Sequence, residues 1–288
     1  MKKIIWTYAK LPRAGLGNKL LVWARAFVFS EINKCPFFVS NWADFKIGPF
    51  IRNEKSKRQY WGYFKKEDQI SILRKIFFLF IKARLEPDLN YFTNLSNNIN
   101  LFIFTATPDW PDYFLGLREY RNFIRIKFYS TISSKFIHRA NLYAPPVIGV
   151  HVRRSDFKKN ENSYLIGRQP NTQAPNSYYI NIIKKLRKFE HSEVPVTIFT
   201  DGRNSDIADL LELPFVQLAP QNSDIVDLIL LSRSKYIVIT PGSTFSYWAA
   251  FISEAFIIKN SSKAPRIRSK AESLFEGTIA ELSKQKSV

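Results

Sequence analysis

Val147-Ile148-Gly149-Val150-His151-Val152-Arg153-Arg154-Ser155-Asp156 reads as an apolar strand that runs straight into a charged turn. The run at 147–152 has strand length and β-branched content, and Pro145 and Pro146 punctuate it upstream. Further apolar runs follow at 194–200, 214–218, 236–240 and 255–258. Between them, residues 178–189 carry helical periodicity, and Ser205-Asp206 and Ser223-Asp224 supply capping residues for two more helices. Strands alternating with helices predict a parallel sheet in a Rossmann-like domain, where ligands bind beyond the carboxyl ends of the strands.

The upstream half begins in the same way, with a strand at 3–8, a loop at 10–18, a helix at 19–33 and a strand at 37–40. Residues 42–68 are aromatic and basic without a clean period, and 113–137 read as one or two basic helices. The two prolines mark the best boundary, giving an N-terminal domain over 1–144 and a C-terminal domain over 145–288.

Forty-three Lys and Arg against 24 Asp and Glu leave a net charge of +19, which calls for an anionic partner. Nucleic acid, an anionic membrane and phosphorylated substrates all qualify. No zinc-finger spacing, RNP-like aromatic motif or basic region with heptads is present, so a nucleic-acid partner is not expected. One cysteine, Cys35, excludes an intrachain disulfide, and with His138, His151 and His191 it forms no zinc-ligand spacing. The start of the chain has no apolar run long enough for an export signal, so a cytoplasmic location is expected. The longest uninterrupted apolar run is 76–81, far short of the roughly 20 residues that span a bilayer. A basic amphipathic helix at about 70–85 could lie on an anionic surface. Packing on the core with its Lys and Arg solvated is the preferred reading.

Three motifs could carry chemistry. Arg153 and Arg154 emerge at the carboxyl end of the strand, where arginines hold a diphosphate through bidentate, charge-assisted hydrogen bonds. A loop-ordering ion pair with Asp156 is the structural alternative, and it weighs most for Arg154. Pro241-Gly242-Ser243-Thr244-Phe245-Ser246-Tyr247-Trp248-Ala249-Ala250 follows a strand and opens a helix, whose free N–H groups and hydroxyls suit phosphate oxygens. Plain capping by Ser243 or Thr244 is the alternative there. Gly15-Leu16-Gly17-Asn18 lies in the first loop, where glycines serve either a close ligand approach or a turn.

Together, Gly15-Leu16-Gly17-Asn18, His151-Val152-Arg153-Arg154-Ser155-Asp156 and Ser243-Thr244-Phe245-Ser246-Tyr247-Trp248-Ala249-Ala250 resemble the α-1,2-fucosyltransferase family of bacterial and animal enzymes, glycosyltransferase family 11. The HxRRxD element is also similar to that of the α-1,6- and protein O-fucosyltransferases. The resemblance implies an α/β fold of GT-B type, two Rossmann-like domains facing each other across a cleft. It also implies a GDP-fucose donor in the C-terminal domain and an inverting reaction that needs no metal. Carried over, His151 contacts the nucleoside, Arg153 the β-phosphate, and Ser246 with its neighbours the diphosphate from the other side. Asp201, in Thr200-Asp201-Gly202, stands where these enzymes often carry two acidic residues, one of them reading guanine; the second is Gly202 here.

The chemistry of the residues agrees on metal, since the Asp-x-Asp triplet that many metal-dependent transferases use is absent and arginine can supply the charge. An inverting displacement needs cationic stabilisation of the departing diphosphate and a base for the acceptor hydroxyl. Glu161, five residues beyond Asp156, stands at the offset where the similar α-1,6-fucosyltransferases place a proposed base, and the resemblance makes it the candidate base, while in such motifs Asp156 more often orients the arginine loop. A solvated loop glutamate is the alternative for Glu161, and Asp44 is a second candidate. Trp42, Phe45, Tyr60, Trp61 and Tyr63 could meet the acceptor sugar, although such aromatics more often build core. The expected role is fucose transfer to a saccharide hydroxyl in O-antigen or surface polysaccharide synthesis, on an acceptor that can be lipid-linked at the membrane. A same-fold transferase using another nucleotide sugar, and a non-catalytic basic nucleic-acid or membrane-binding protein, are the alternatives.

Overall fold

The computed structural model describes residues 5–44, 47, 51, 58–81, 83–86, 100–108, 111–159 and 171–285. The chain forms two compact units, Met1–Lys46 with Arg58–Ser133, and Ile47–Lys57 with Ser134–Val288. The helix Ser134–Asn141, which a boundary at Pro145 would leave in the first domain, belongs to the second unit. Two prolines stop regular structure wherever they occur, whether or not a domain ends there.

In the first unit the order is β1 (Ile5–Ala9), α1 (Leu16–Ile32), β2 (Phe37–Val39), α2 (Ile72–Leu79), β3 (Ala83–Leu85), β4 (Asn100–Phe104) and α3 (Arg121–Thr131). The strands make a parallel sheet in the order β2-β1-β4-β3. Successive strand residues face opposite sides, so Trp6 and Tyr8 meet α2 while Thr7 and Ala9, fully buried, lie on the other side. Phe29 of α1 packs at 4.9 Å from Phe102 and 5.3 Å from Phe104. The helix begins at Leu16, because Gly15 takes an extended cap conformation (φ −62°, ψ 162°). Gly17 and Asn18 therefore sit in the first helical turn rather than in a loop. The helix closes with a left-handed Lys34 (φ 49°), whose N–H reaches Glu31 O while Cys35 N–H reaches Ser30 O.

The second unit runs α4 (Ser134–Asn141), β5 (Ile148–Val152), α5 (Asn176–Glu190), β6 (Val196–Thr200), α6 (Ala208–Leu211), β7 (Val216–Leu218), α7 (Asp224–Ser232), β8 (Tyr236–Val238), α8 (Thr244–Ile252), β9 (Phe256–Ile258), β10 (Glu276–Gly277) and α9 (Ile279–Gln285). Its parallel sheet has the order β10-β9-β8-β5-β6-β7. The chain steps from β5 outward to β7, returns to the opposite side of β5 as β8, and steps outward again. That reversal creates a switch point between β5 and β8, where the connections leaving the two strands part and open a crevice at their carboxyl ends. Every residue of β5 is buried. Gly149 has no alternative there, because a Cβ would stand 2.2 Å from Ser234 Oγ and 2.8 Å from Leu231 Cδ1. On the other flank, α4 is tied to the loop before α7 by Arg139 Nε donating to Asn222 Oδ1 at 3.1 Å. Among the described residues no helix is long and apolar enough to cross a membrane.

Candidate functional site

The carboxyl ends of β5 and β8 are locked together by Thr240. Its hydroxyl donates to the His151 carbonyl at 2.6 Å and accepts from the Arg153 N–H at 3.3 Å. The Tyr179 hydroxyl lies 3.0 Å from the same oxygen. Thr240-Pro241-Gly242-Ser243 then forms a β-turn, with Ser243 N–H bonded to Thr240 O at 3.1 Å and Gly242 at φ 79°. Proline followed by a left-handed glycine is the type II pattern, and it aims the first turn of α8 at the end of β5.

His151 occupies the switch point itself. Its ring is buried and stacked on Phe245 at 5.0 Å. Burial, helped by the positive charges of Arg153 and Arg154 and opposed by Asp201, lowers its pKa to about 3. The imidazole is neutral at physiological pH, and its Nδ1 has no hydrogen-bond partner among the described residues. A buried polar nitrogen in that state suits a hydrogen-bonding ligand.

The two adjacent arginines do different work. Arg153 keeps 17% of its side chain exposed and is held between two carboxylates, with Nη2 2.6 Å from Asp156 Oδ1 and Nη1 2.6 Å from Asp201 Oδ2. Arg154, expected at the donor, turns into the protein. Its Nη1 donates to the carbonyls of Ala174 at 2.9 Å and Arg153 at 3.1 Å, its Nη2 donates to Asn176 Oδ1, and its guanidinium lies over the Tyr179 ring. In extended backbone, neighbours point to opposite sides, so consecutive arginines leaving a strand cannot both face one ligand. Nor does Arg154 make the ion pair with Asp156 that its alternative reading supposed; Arg153 makes it.

Asp201, expected among the donor-binding residues, is engaged with this loop. Its Oδ1 accepts from Arg154 N–H at 2.8 Å and Ser155 N–H at 3.4 Å, while its Oδ2 faces Arg153. Gly202 is required for the same reason: a Cβ there would lie 2.7 Å from Arg154 Cγ. The stem of Arg154 thus fills the place where a second acidic side chain would begin. Ser246 is fully buried, its hydroxyl 3.2 Å from Thr240 N and from Ser243 O, so it fastens the turn. Ser243 is buried as the residue before α8, whereas Thr244 and Phe245 are half-buried at the helix start. Glu161 lies outside the described residues.

In the first unit, Gly15 has open space where a Cβ would stand, so packing does not demand glycine there. Lys19, one turn into α1, is buried against Asp44 with Nζ–Oδ2 at 2.7 Å. Burial lowers the Lys19 pKa and Asp44 works against that shift. As a candidate base Asp44 already carries this counter-charge. Trp42 stacks on Phe64 at 3.8 Å and Tyr60 is buried, so both are core; Trp61 is exposed; Phe45 lies outside the described residues. No three His, Cys, Asp or Glu side chains among the described residues gather as a metal-binding group.

The model of glycosyl transferase family 11 matches residues 91–277, more than half of the chain. The chain belongs to that family. As a glycosyltransferase it shares its fold with solved fucosyltransferases. A crystal of the NodZ α-1,6-fucosyltransferase soaked with GDP-fucose is 16% identical with a TM-score of 0.57, covering 92% of this chain and 97% of that one. NodZ from Bradyrhizobium gives 15%, a TM-score of 0.54 and coverages of 91% and 98%. POFUT1 in complex with GDP gives 11%, a TM-score of 0.53 and coverages of 88% and 95%. No curated protein sequence matches the chain. The glycosyltransferase therefore has the α/β fold of GT-B type.

Several residues that shape the glycosyltransferase's edge carry no motif signal. Gln173 Nε2 donates to the carbonyls of Arg154 and Phe157, both at 2.9 Å. Asn176 holds Arg154 and also donates to Asp206 O at 2.9 Å. Only Thr240, standing just before the Pro-Gly turn, had a local cue.

Proposed function

We propose that the protein transfers fucose from GDP-fucose to a hydroxyl of a saccharide acceptor, with inversion and without a metal ion. The observation that carries this reading is the edge at β5 and β8, where a neutral buried His151, its Nδ1 without a hydrogen-bond partner among the described residues, stands beside a partly exposed Arg153 at a Rossmann switch point. Relatives of this fold hold GDP or GDP-fucose, which supports the same donor here.

In this mechanism His151 and Phe245 take the nucleoside side of the donor and Arg153 the β-phosphate. As the bond from the sugar's anomeric carbon to phosphate oxygen breaks, negative charge grows on the diphosphate, and the Arg153 guanidinium stabilises it. The acceptor oxygen forms its bond from the opposite face and gives its proton to a carboxylate, for which Glu161 is our candidate. Asp156 and Asp201 hold Arg153 in place. We place the enzyme in the cytoplasm, acting at the membrane on a lipid-linked saccharide of O-antigen or surface polysaccharide.

Gly202 favours a second reading, a donor with another base, because no acidic side chain stands at that position. Incubating the full chain with GDP-, UDP- and dTDP-sugars, a saccharide panel and EDTA tests both. Fucoside of inverted anomeric configuration from GDP-fucose alone is the expected product. Turnover of a different donor, retention of configuration, or dependence on added Mg or Mn would overturn the corresponding part.

A further inference from the structure

Helix α2 presents its apolar side to solvent. Ser71 caps it, accepting from Arg74 N–H at 3.3 Å. Phe78 is its one buried residue, set among Trp6, Tyr8 and Phe38 at 5.7 to 5.9 Å. Arg74, one turn earlier on the same side, lies with its guanidinium 4.4 Å from the Phe38 ring. With 100° between residues, the side opposite this pair belongs to Ile72, Leu73, Ile76, Leu79 and Phe80. Ile72 is 79% exposed, Leu73 81%, Leu79 80% and Phe80 82%. The preferred reading of this segment, apolar face inward and cations outward, holds for Phe78 alone: Arg74, itself exposed, reaches over the Phe38 ring, and the aliphatic side chains face out.

We infer that α2 docks the protein on an anionic lipid surface. Contiguous apolar side chains of this size are seldom left in water unless they meet a partner. A short helix with an aliphatic outer face flanked by cations is suited to lie in the plane of a bilayer interface. Lys75 stands on the helix at the border of the apolar face, and Lys65 and Lys66 are exposed in the segment leading to it. These cations, on a chain of net charge +19, complement anionic headgroups, whereas a second copy of the same basic chain would set like charges against each other. Phe78 fixes the helix to the sheet, so the outer face is a fixed feature of the first unit. The inference is independent of which sugar donor the enzyme uses.

Flotation of the full chain with vesicles of phosphatidylcholine, alone or mixed with phosphatidylglycerol, tests it. The protein should float with the mixed vesicles and remain below with the neutral ones. Leu73→Gln combined with Phe80→Gln should weaken binding by about tenfold or more, whereas Leu73→Phe should retain it. GDP titration and the thermal melt of each variant, unchanged, separate a lost surface from a lost fold. Wild-type protein that never floats, or a double variant that floats as well as wild type, would overturn the inference. So would sedimentation showing a dimer of the wild type that the double variant abolishes, since the face would then belong to a second copy.

Discussion

In both units a helix starts soon after a strand near the middle of the sheet, at Leu16 beyond β1 and at Thr244 beyond β8, and in both a cation faces an aspartate. The first unit closes its cation in: the Lys19 side chain is 1% exposed against Asp44. In the second, Arg153 stays partly exposed between two carboxylates, beside a buried histidine whose Nδ1 has no hydrogen-bond partner among the described residues. A charge sealed by its partner fixes the position of a helix, and a charge held but open to solvent can meet a substrate. The same split recurs within two residues, Arg153 held open and Arg154 enclosed.

The sharpest break in this comparison is Arg153→Ala, which should lower kcat by about a thousandfold, since a preorganised charge on the leaving group is lost. Its unfolding free energy should fall by only about 1 to 2 kcal/mol, because Asp201 loses its counter-charge but keeps the Arg154 and Ser155 N–H groups. Lys19→Met should do the reverse, costing about 3 kcal/mol by leaving Asp44 without its counter-charge. Urea denaturation would read that loss, and GDP binding per folded molecule should hold. Arg154→Met should cost about 2 to 3 kcal/mol, because the Ala174 carbonyl and the Asn176 amide oxygen lose their donors. If Arg154→Met instead kept full stability and lost only donor binding, the assignment of the two arginines would be inverted.

The smallest effect concerns pH. His151 has a pKa of about 3 when folded and an ordinary value of 6.5 when unfolded. Above pH 6.5 neither state binds the proton. As pH falls from there the unfolded state takes it up first, so stability is lost on acidification, by about 2 kcal/mol at pH 5. His151→Asn should show an acid-side stability slope shallower by that amount.

How legible these features were follows from their physics. Strands β5, β8 and β9 were readable because buried strands of a parallel sheet are continuous apolar runs, whereas β6 and the edge strand β7 showed theirs through interruptions at Thr197 and the exposed Gln217. The two-residue β10 offers no run to see, and β3 and β4 were likewise not anticipated. His151 and Arg153 were readable because they are contiguous and sit at a strand end. The inward turn of Arg154 was implicit in strand alternation, but its partners Ala174 and Asn176 are distant in sequence and carry no motif. Gly17 and Asn18 were placed in a loop because glycines suggest one, whereas Gly15 alone serves as the cap. Helix α2 was read with its apolar side packed inward, yet only Phe78 is buried, because periodicity shows that a helix has an apolar side and is silent on which way that side points.

Calorimetric titration of the wild type and Arg153→Ala with GDP, UDP and dTDP tests the central claim most directly. The account predicts GDP-selective binding to the wild type, weakened by about tenfold or more in the variant as a charge-assisted phosphate contact is lost. Binding of none of the three nucleotides, or equal GDP affinity in both proteins, would contradict it.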